Sequence, residues 1–152
     1  GVELSAVGKI TDAWNVSAGV AHMKTEQEDQ LSVNATTGAI TRTNNVRWSP
    51  EWTASLWSTY DIAGFKLGLG ARYVDEQKRL ITDSTAAANM PNIPGYVVFD
   101  AMAGYSLNKN ASVNLNVYNL ADKEYISTLN NGGGRVILGQ PRSAALTFNY
   151  KF

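Results

Sequence analysis

The residues that could do chemistry in this chain are mostly cationic and aromatic. Arg42, Arg47, Trp48, Lys78, Arg79, Tyr125 and Arg135 all stand in polar, irregular stretches. Guanidinium and ammonium groups attract anions, and aromatic faces stack on flat rings or cations. Together they suit a flat, anionic ligand; singly, each is also what an ordinary solvated surface carries. Glu26, Glu28 and Asp29 offer carboxylates to a hard cation, or simply a hydrated loop. His22 is the sole histidine and there is no Cys, which leaves no usual transition-metal site, disulfide or thiol nucleophile. Gly68-Leu69-Gly70 and Gly132-Gly133-Gly134 precede no helical pattern, so neither reads as a phosphate cradle. The first reads as small residues facing a crowded interior, the second as a flexible loop. No Ser/His/Asp set and no pair of catalytic carboxylates stands at an interpretable spacing. The chain is expected to be no enzyme and to hold no cofactor.

The elements that must position these residues are strands. At Ala144, Leu146, Phe148, Tyr150 and Phe152 every second residue is apolar or aromatic, the period of a strand with one greasy face. The same beat runs through Val2–Ile10, Trp14–Ala21, Trp52–Asp61, Phe65–Tyr73, Val97–Leu107 and Val113–Tyr118. Seven antiparallel strands are therefore expected. Thr11-Asp12-Ala13, Ile62-Ala63-Gly64 and Asn108-Lys109-Asn110 read as short turns. Stretches of about Lys24–Arg47, Asp75–Pro94 and Asn119–Gln140 read as long loops. In an up-and-down meander this alternation puts every short turn at one end of the sheet and every long loop at the other.

No charged residue falls in the apolar registers. The opposite registers hold Glu3, Lys9, Asp61, Lys66, Arg72, Asp100 and Lys151. A protein core and a lipid bilayer would both exclude charge in this way. The aromatics separate the two. Trp14, Tyr60, Phe65, Tyr105, Tyr150 and Phe152 all lie in the apolar register near the short-turn end, as a girdle at a membrane interface would. Trp52 and Tyr73 form a thinner belt at the other end. Arg72 and Asp100 face the interior side, on strands joined by the second long loop, where they could pair with each other.

Bulk properties agree. The 152 residues carry 13 basic and 13 acidic side chains and no net charge, which argues against nucleic acid as a partner. No apolar run is long enough for a transmembrane helix. Alternating strands average out in hydropathy, so overall polarity does not oppose a membrane barrel. The chain begins at Gly1 without Met, as a mature, processed or partial chain would. Seven strands are odd, whereas bacterial single-chain barrels are even, so further strands are expected before it.

Asn119-Leu120-Ala121-Asp122-Lys123-Glu124-Tyr125, followed by a Gly-rich stretch, Gly139-Gln140-Pro141-Arg142 and the terminal Leu146–Phe152 strand, resembles the closing segment of TonB-dependent outer-membrane receptors. Gly1–Leu4, Pro50–Ala54 and Gly95–Asp100 fit the same pattern, which is most similar to the siderophore-receptor branch. The resemblance implies a bacterial outer-membrane barrel of about 22 strands with a plugged lumen. Residues 1–152 would be the C-terminal third of that barrel, without its plug. It implies uptake of ferric siderophores, with iron present only inside the bound ligand. It also implies lipid as a partner, contact with the TonB complex through an N-terminal part, and a terminal Phe152 read by the barrel-assembly machinery. Two other readings remain: a small porin-like or structural barrel, which would need an eighth strand, and a soluble β-sandwich or lipocalin-like binding module.

Overall fold

The computed structural model describes residues 1–81, 92–130 and 134–152; within its strands the side chains of residues 27–30, 32, 43–48 and 79–81 lie outside that description. The described structure is all β. Seven long strands carry it: β1 (Val2–Lys9), β2 (Trp14–His22), β5 (Trp52–Ile62), β6 (Phe65–Val74), β8 (Tyr96–Ser106), β9 (Ala111–Tyr118) and β12 (Ser143–Tyr150). They form one antiparallel sheet in the order β1-β2-β5-β6-β8-β9-β12. These are the seven strands expected from the alternation. The sheet is open, with β1 and β12 as its edges, so it is not a small closed barrel.

Each short turn has a local cause. Trp14 N–H donates to both the carbonyl and the hydroxyl of Thr11, at 3.2 and 3.1 Å. Between β5 and β6, Ala63 (φ 50°) and Gly64 (φ 82°) both adopt positive φ, as a two-residue hairpin requires to match the twist of its strands. At the third turn, Asn110 N–H donates to Asn108 Oδ1 at 2.8 Å, the side-chain turn that Asn favours.

The long loops differ from their expected form. Strands β3 (Gln27–Val33), β4 (Ile40–Pro50) and β7 (Gln77–Ile81) build a second, three-stranded sheet. Strands β10 (Ile126–Leu129) and β11 (Val136–Leu138) form a hairpin inside the last loop. The expected loops at Lys24–Arg47, Asp75–Pro94 and Asn119–Gln140 thus carry paired strands. Their residues lack the period-two beat of the wall strands, and antiparallel backbone pairing holds them without it. The runs Ala86–Ala88 and Gly132-Gly133 lie outside the described residues.

The two faces of the large sheet are treated oppositely. Its apolar register stands uncovered: Leu69 is 56% and Leu146 73% exposed. Its polar register is more closely packed, and Val98 there is 1% exposed. A sandwich would show the reverse, since its apolar face is the buried one. On the polar-register face the Trp57 ring lies across Gly68 and Gly70, where any Cβ would overlap it. This is the physical need for the Gly68-Leu69-Gly70 spacing.

Candidate functional site

The sequence-predicted residues fall into three groups in space. The first surrounds a cleft of about 200 Å³ lined by Met23, Lys24, Glu26, Glu51, Asp75, Glu76 and Lys78, among others. Lys24 pairs with Glu26 at 2.9 Å. Lys78 pairs with Glu76, whose carboxylate hydrogen-bonds it and holds its ammonium above the usual lysine range. Asp75 accepts from the Tyr73 hydroxyl at 2.9 Å. Four carboxylates meet two ammoniums here, so the cleft repels an anion rather than attracting one. Glu26 spends its carboxylate on Lys24, and no cluster of metal-ligating residues occurs among the described residues. His22 stacks on Trp52, ring centroids 4.4 Å apart, and so extends the belt at the long-loop end.

The second group is scattered. Arg42 lies on β4, and Arg135 just precedes β11, its N–H donating to Asn130 Oδ1 at 2.8 Å. Arg47 and Trp48 on β4 and Arg79 on β7 have side chains outside the description.

The third group is brought together by the fold. Arg72 sits opposite Val98, and Tyr96 opposite Val74. Arg72 and Tyr96 are therefore diagonal neighbours on the polar-register face, within reach of long side chains. Tyr96 stacks on Tyr125, centroids 4.2 Å apart and planes 33° from parallel. The Tyr125 ring also lies over the backbone of Gly139. Clefts of about 430 and 370 Å³ flank it, sharing Lys123, Glu124 and Leu138, within the size range of ligand pockets. Arg72 lines neither cleft, and the charges that do are Lys123, Glu124 and, in the larger cleft, Asp122. What the group offers an anionic ligand with flat aromatic groups is its stacked phenols and the guanidinium beside Tyr96. Sequence reasoning named Arg72 and Tyr125 separately and missed Tyr96. Its position at the strand start, out of phase with the apolar beat, was the available signal.

Asp100 does not pair with Arg72. It lies opposite Gly70, one diagonal step further along the sheet, and its Oδ1 accepts from the backbone N–H of Asn119 at 2.8 Å. Asp100 and Tyr96 are both diagonal neighbours of Arg72, and Asp100 also sits beside the end of β9, where the Asn119 N–H is within reach.

On the apolar register, Trp14 lies opposite Tyr60 and Phe65 opposite Tyr105. The Phe65 and Tyr105 rings are 4.5 Å apart, and Tyr150 meets Phe152 edge-on at 5.0 Å. Trp14 Nε1–H donates to Ser58 Oγ at 2.8 Å. The register line through Trp14 and Tyr60 continues to Leu67, Ala103, Leu115 and Leu146. Phe65 and Tyr105 thus stand two residues nearer the short turns than that line, and Tyr150 four.

Residues 1–120 match the family described as TonB dependent receptor-like, beta-barrel. The chain is 35% identical over 154 residues to the catecholate siderophore receptor Fiu of Escherichia coli K12, covering 100% of this chain and 19% of that protein. It is 36% identical over 157 residues to PiuA of Acinetobacter baumannii, a probable TonB-dependent siderophore receptor, covering 100% of this chain and 20% of that one. The crystal structure of PiuA superposes with a TM-score of 0.76 at 32% identity, over 99% of this chain and 21% of PiuA. The open form of Fiu gives 0.73 at 34% identity, over 97% of this chain and 20% of Fiu. The chain spans about a fifth of the length of these curated relatives. With its open seven-stranded meander and its uncovered apolar face, the chain belongs to the TonB-dependent receptor β-barrel family and is a stretch of a Gram-negative outer-membrane barrel wall.

Proposed function

We propose that this chain is the C-terminal third of a plugged barrel of about 22 strands that takes up ferric siderophores across the outer membrane. The observation that carries this is similarity along its whole length to two siderophore receptors, Fiu and PiuA. Iron enters only as cargo within the ligand. Energy comes from the TonB complex, through a part of the receptor beyond this chain. The relatives are transport receptors, and the chain performs no chemical conversion.

The Arg72, Tyr96 and Tyr125 group supplies one wall of the ligand path. A tris-catecholate complex of iron(III) is anionic and presents flat rings, which suits a guanidinium beside stacked phenols. Arg42, Arg47, Trp48 and Arg79 on the loop strands and Arg135 just before β11 remain further candidates for capture, and Lys78 a weaker one because Glu76 already neutralises it.

The apolar register faces lipid, and Trp14, Tyr60, Phe65, Tyr105, Tyr150 and Phe152 form the girdle on the short-turn side. The stagger supports this. If the belt is level, its four-residue slip between β2 and β12 is about 13 Å along the strands over about 24 Å across them. The strands then tilt by roughly 30°, close to the 35–45° of outer-membrane barrels.

The test is uptake of iron(III) complexed with three equivalents of catechol by cells that depend on the full-length receptor. Uptake should require both the receptor and an intact TonB complex. In the purified receptor, Arg72→Gln and Tyr96→Ala should each weaken binding about 5- to 30-fold, the value of a partly desolvated cation–π or stacking contact. Equal uptake without the receptor would overturn the function. Unchanged binding in both variants would overturn the assignment of the site.

A further inference from the structure

One side chain outside the ligand group makes more designed contacts than any in it. Asn119 follows β9, is 4% exposed and holds φ at 49°, a conformation Asn tolerates better than most residues. Its backbone N–H donates to Asp100 Oδ1 on β8 at 2.8 Å. Its Nδ2 donates to the carbonyls of Lys123 and Gln140, both at 2.9 Å. Its Oδ1 accepts from Lys123 N–H at 2.9 Å. Three separate segments are thereby joined: the wall at Asp100, the outgoing chain at Lys123 and the returning chain at Gln140.

Neighbouring contacts run the same way. Leu120 N–H donates to the Phe99 carbonyl at 2.6 Å, and Gly139 N–H to the Tyr125 carbonyl at 2.7 Å. Asp122, also at positive φ (53°), accepts from Arg142 N–H at 2.9 Å and faces its guanidinium at 3.6 Å. Tyr125 lies just beyond this junction. Its ring is bounded on one side by Tyr96 and on another by Gly139, where a Cβ would occupy the ring's place.

We propose that Asn119 is a positioning residue. It locks the two limbs of the last loop to β8 and so sets the Tyr125 ring against Tyr96. Gly139 is the seat that the lock requires. The consequence for ligand affinity rests on the proposed ligand role of Tyr125; the lock itself does not.

The experiment uses the full-length receptor in detergent, with amide hydrogen exchange and affinity for iron(III) tris(catecholate) measured side by side. Asn119→Gly keeps the backbone conformation and removes the side chain. It should raise exchange over residues 119–125 and 139–143 roughly tenfold while heat-modifiable migration shows an intact barrel. Asp100→Ala should do the same to a smaller extent, and Asp100→Asn, which keeps an acceptor, should restore protection. Asn119→Gly and Gly139→Ala should weaken affinity by up to the factor seen for Tyr125→Ala. The double variant Asn119→Gly/Tyr125→Ala should be no worse than Tyr125→Ala alone. Unchanged exchange in Asn119→Gly or in Asp100→Ala, with the barrel intact, overturns the lock. Raised exchange with unchanged affinity, where Tyr125→Ala does weaken binding, overturns the positioning role. Raised exchange where Tyr125→Ala has no effect upholds the lock and removes Tyr125 from the ligand path.

Discussion

Strand β6 of the wall alternates Phe65, Leu67, Leu69, Ala71 and Tyr73 with Lys66, Gly68, Gly70 and Arg72, whereas strand β4 of the loop sheet runs Ile-Thr-Arg-Thr-Asn-Asn-Val-Arg-Trp-Ser-Pro. Both are paired antiparallel strands of ten or more residues. They differ in what lies on either side. The wall separates an apolar phase from a polar interior, and every second residue must choose between them. The loop sheet shows no such division: Leu31 pairs with Arg42, so one face carries apolar and charged side chains together. Alternation in this chain therefore marks the boundary between two environments, and backbone pairing extends beyond that boundary.

Charge on the lipid face should break the comparison most sharply. Leu69→Arg, in the middle of β6, should destabilise the full-length receptor by about 2–4 kcal/mol. Thr41→Arg on β4 should stay within about 0.5 kcal/mol, as surface changes usually do. Urea unfolding in detergent or lipid measures both, and equal effects would mean that β6 and β4 see the same surroundings.

Packing on the interior face comes next. A side chain at Gly70 meets the Trp57 ring, so Gly70→Leu should cost about 1–3 kcal/mol by overpacking. Adding Trp57→Ala should recover part of that loss. A double variant no better than Gly70→Leu alone would show that Trp57 is not the obstacle.

The turns test the wall's ends. Ala63 holds φ at 50° with no polar side chain to compensate. Ala63→Gly should stabilise by up to about 1 kcal/mol, seen as a higher unfolding midpoint. The smallest effect is expected at Lys66, whose 3.3 Å pair with Asp61 is about half exposed on both sides. Lys66→Gln should change stability by less than about 1 kcal/mol, and less still at high salt.

Legibility in the sequence followed the same boundary. The seven wall strands, their faces and their short turns could be read because lipid and interior impose a period of two. The loop strands could not, since β3, β4, β7, β10 and β11 answer to no such constraint. The site shows the same division. Arg72 could be placed on the interior face from its register alone. That Tyr125 would meet Tyr96, 29 positions earlier in the chain, depends on how the last loop folds back. Asp100 was legible as an interior charge, but its partner Asn119 was not, because that contact exists only once β8 and β9 are side by side.

What the sequence determined by itself was the wall: which residues face lipid, where the chain turns and that the strands form a meander. A bilayer is a uniform solvent, so each residue's preference for it is a local property that alternation records. Only the tertiary structure decided the strand stagger, the loop sheets, the Asn119 junction and the stacking of Tyr125 between Tyr96 and Gly139. These depend on pairings between distant segments, and a hydrogen bond or a ring contact has no period along the chain from which it could be read.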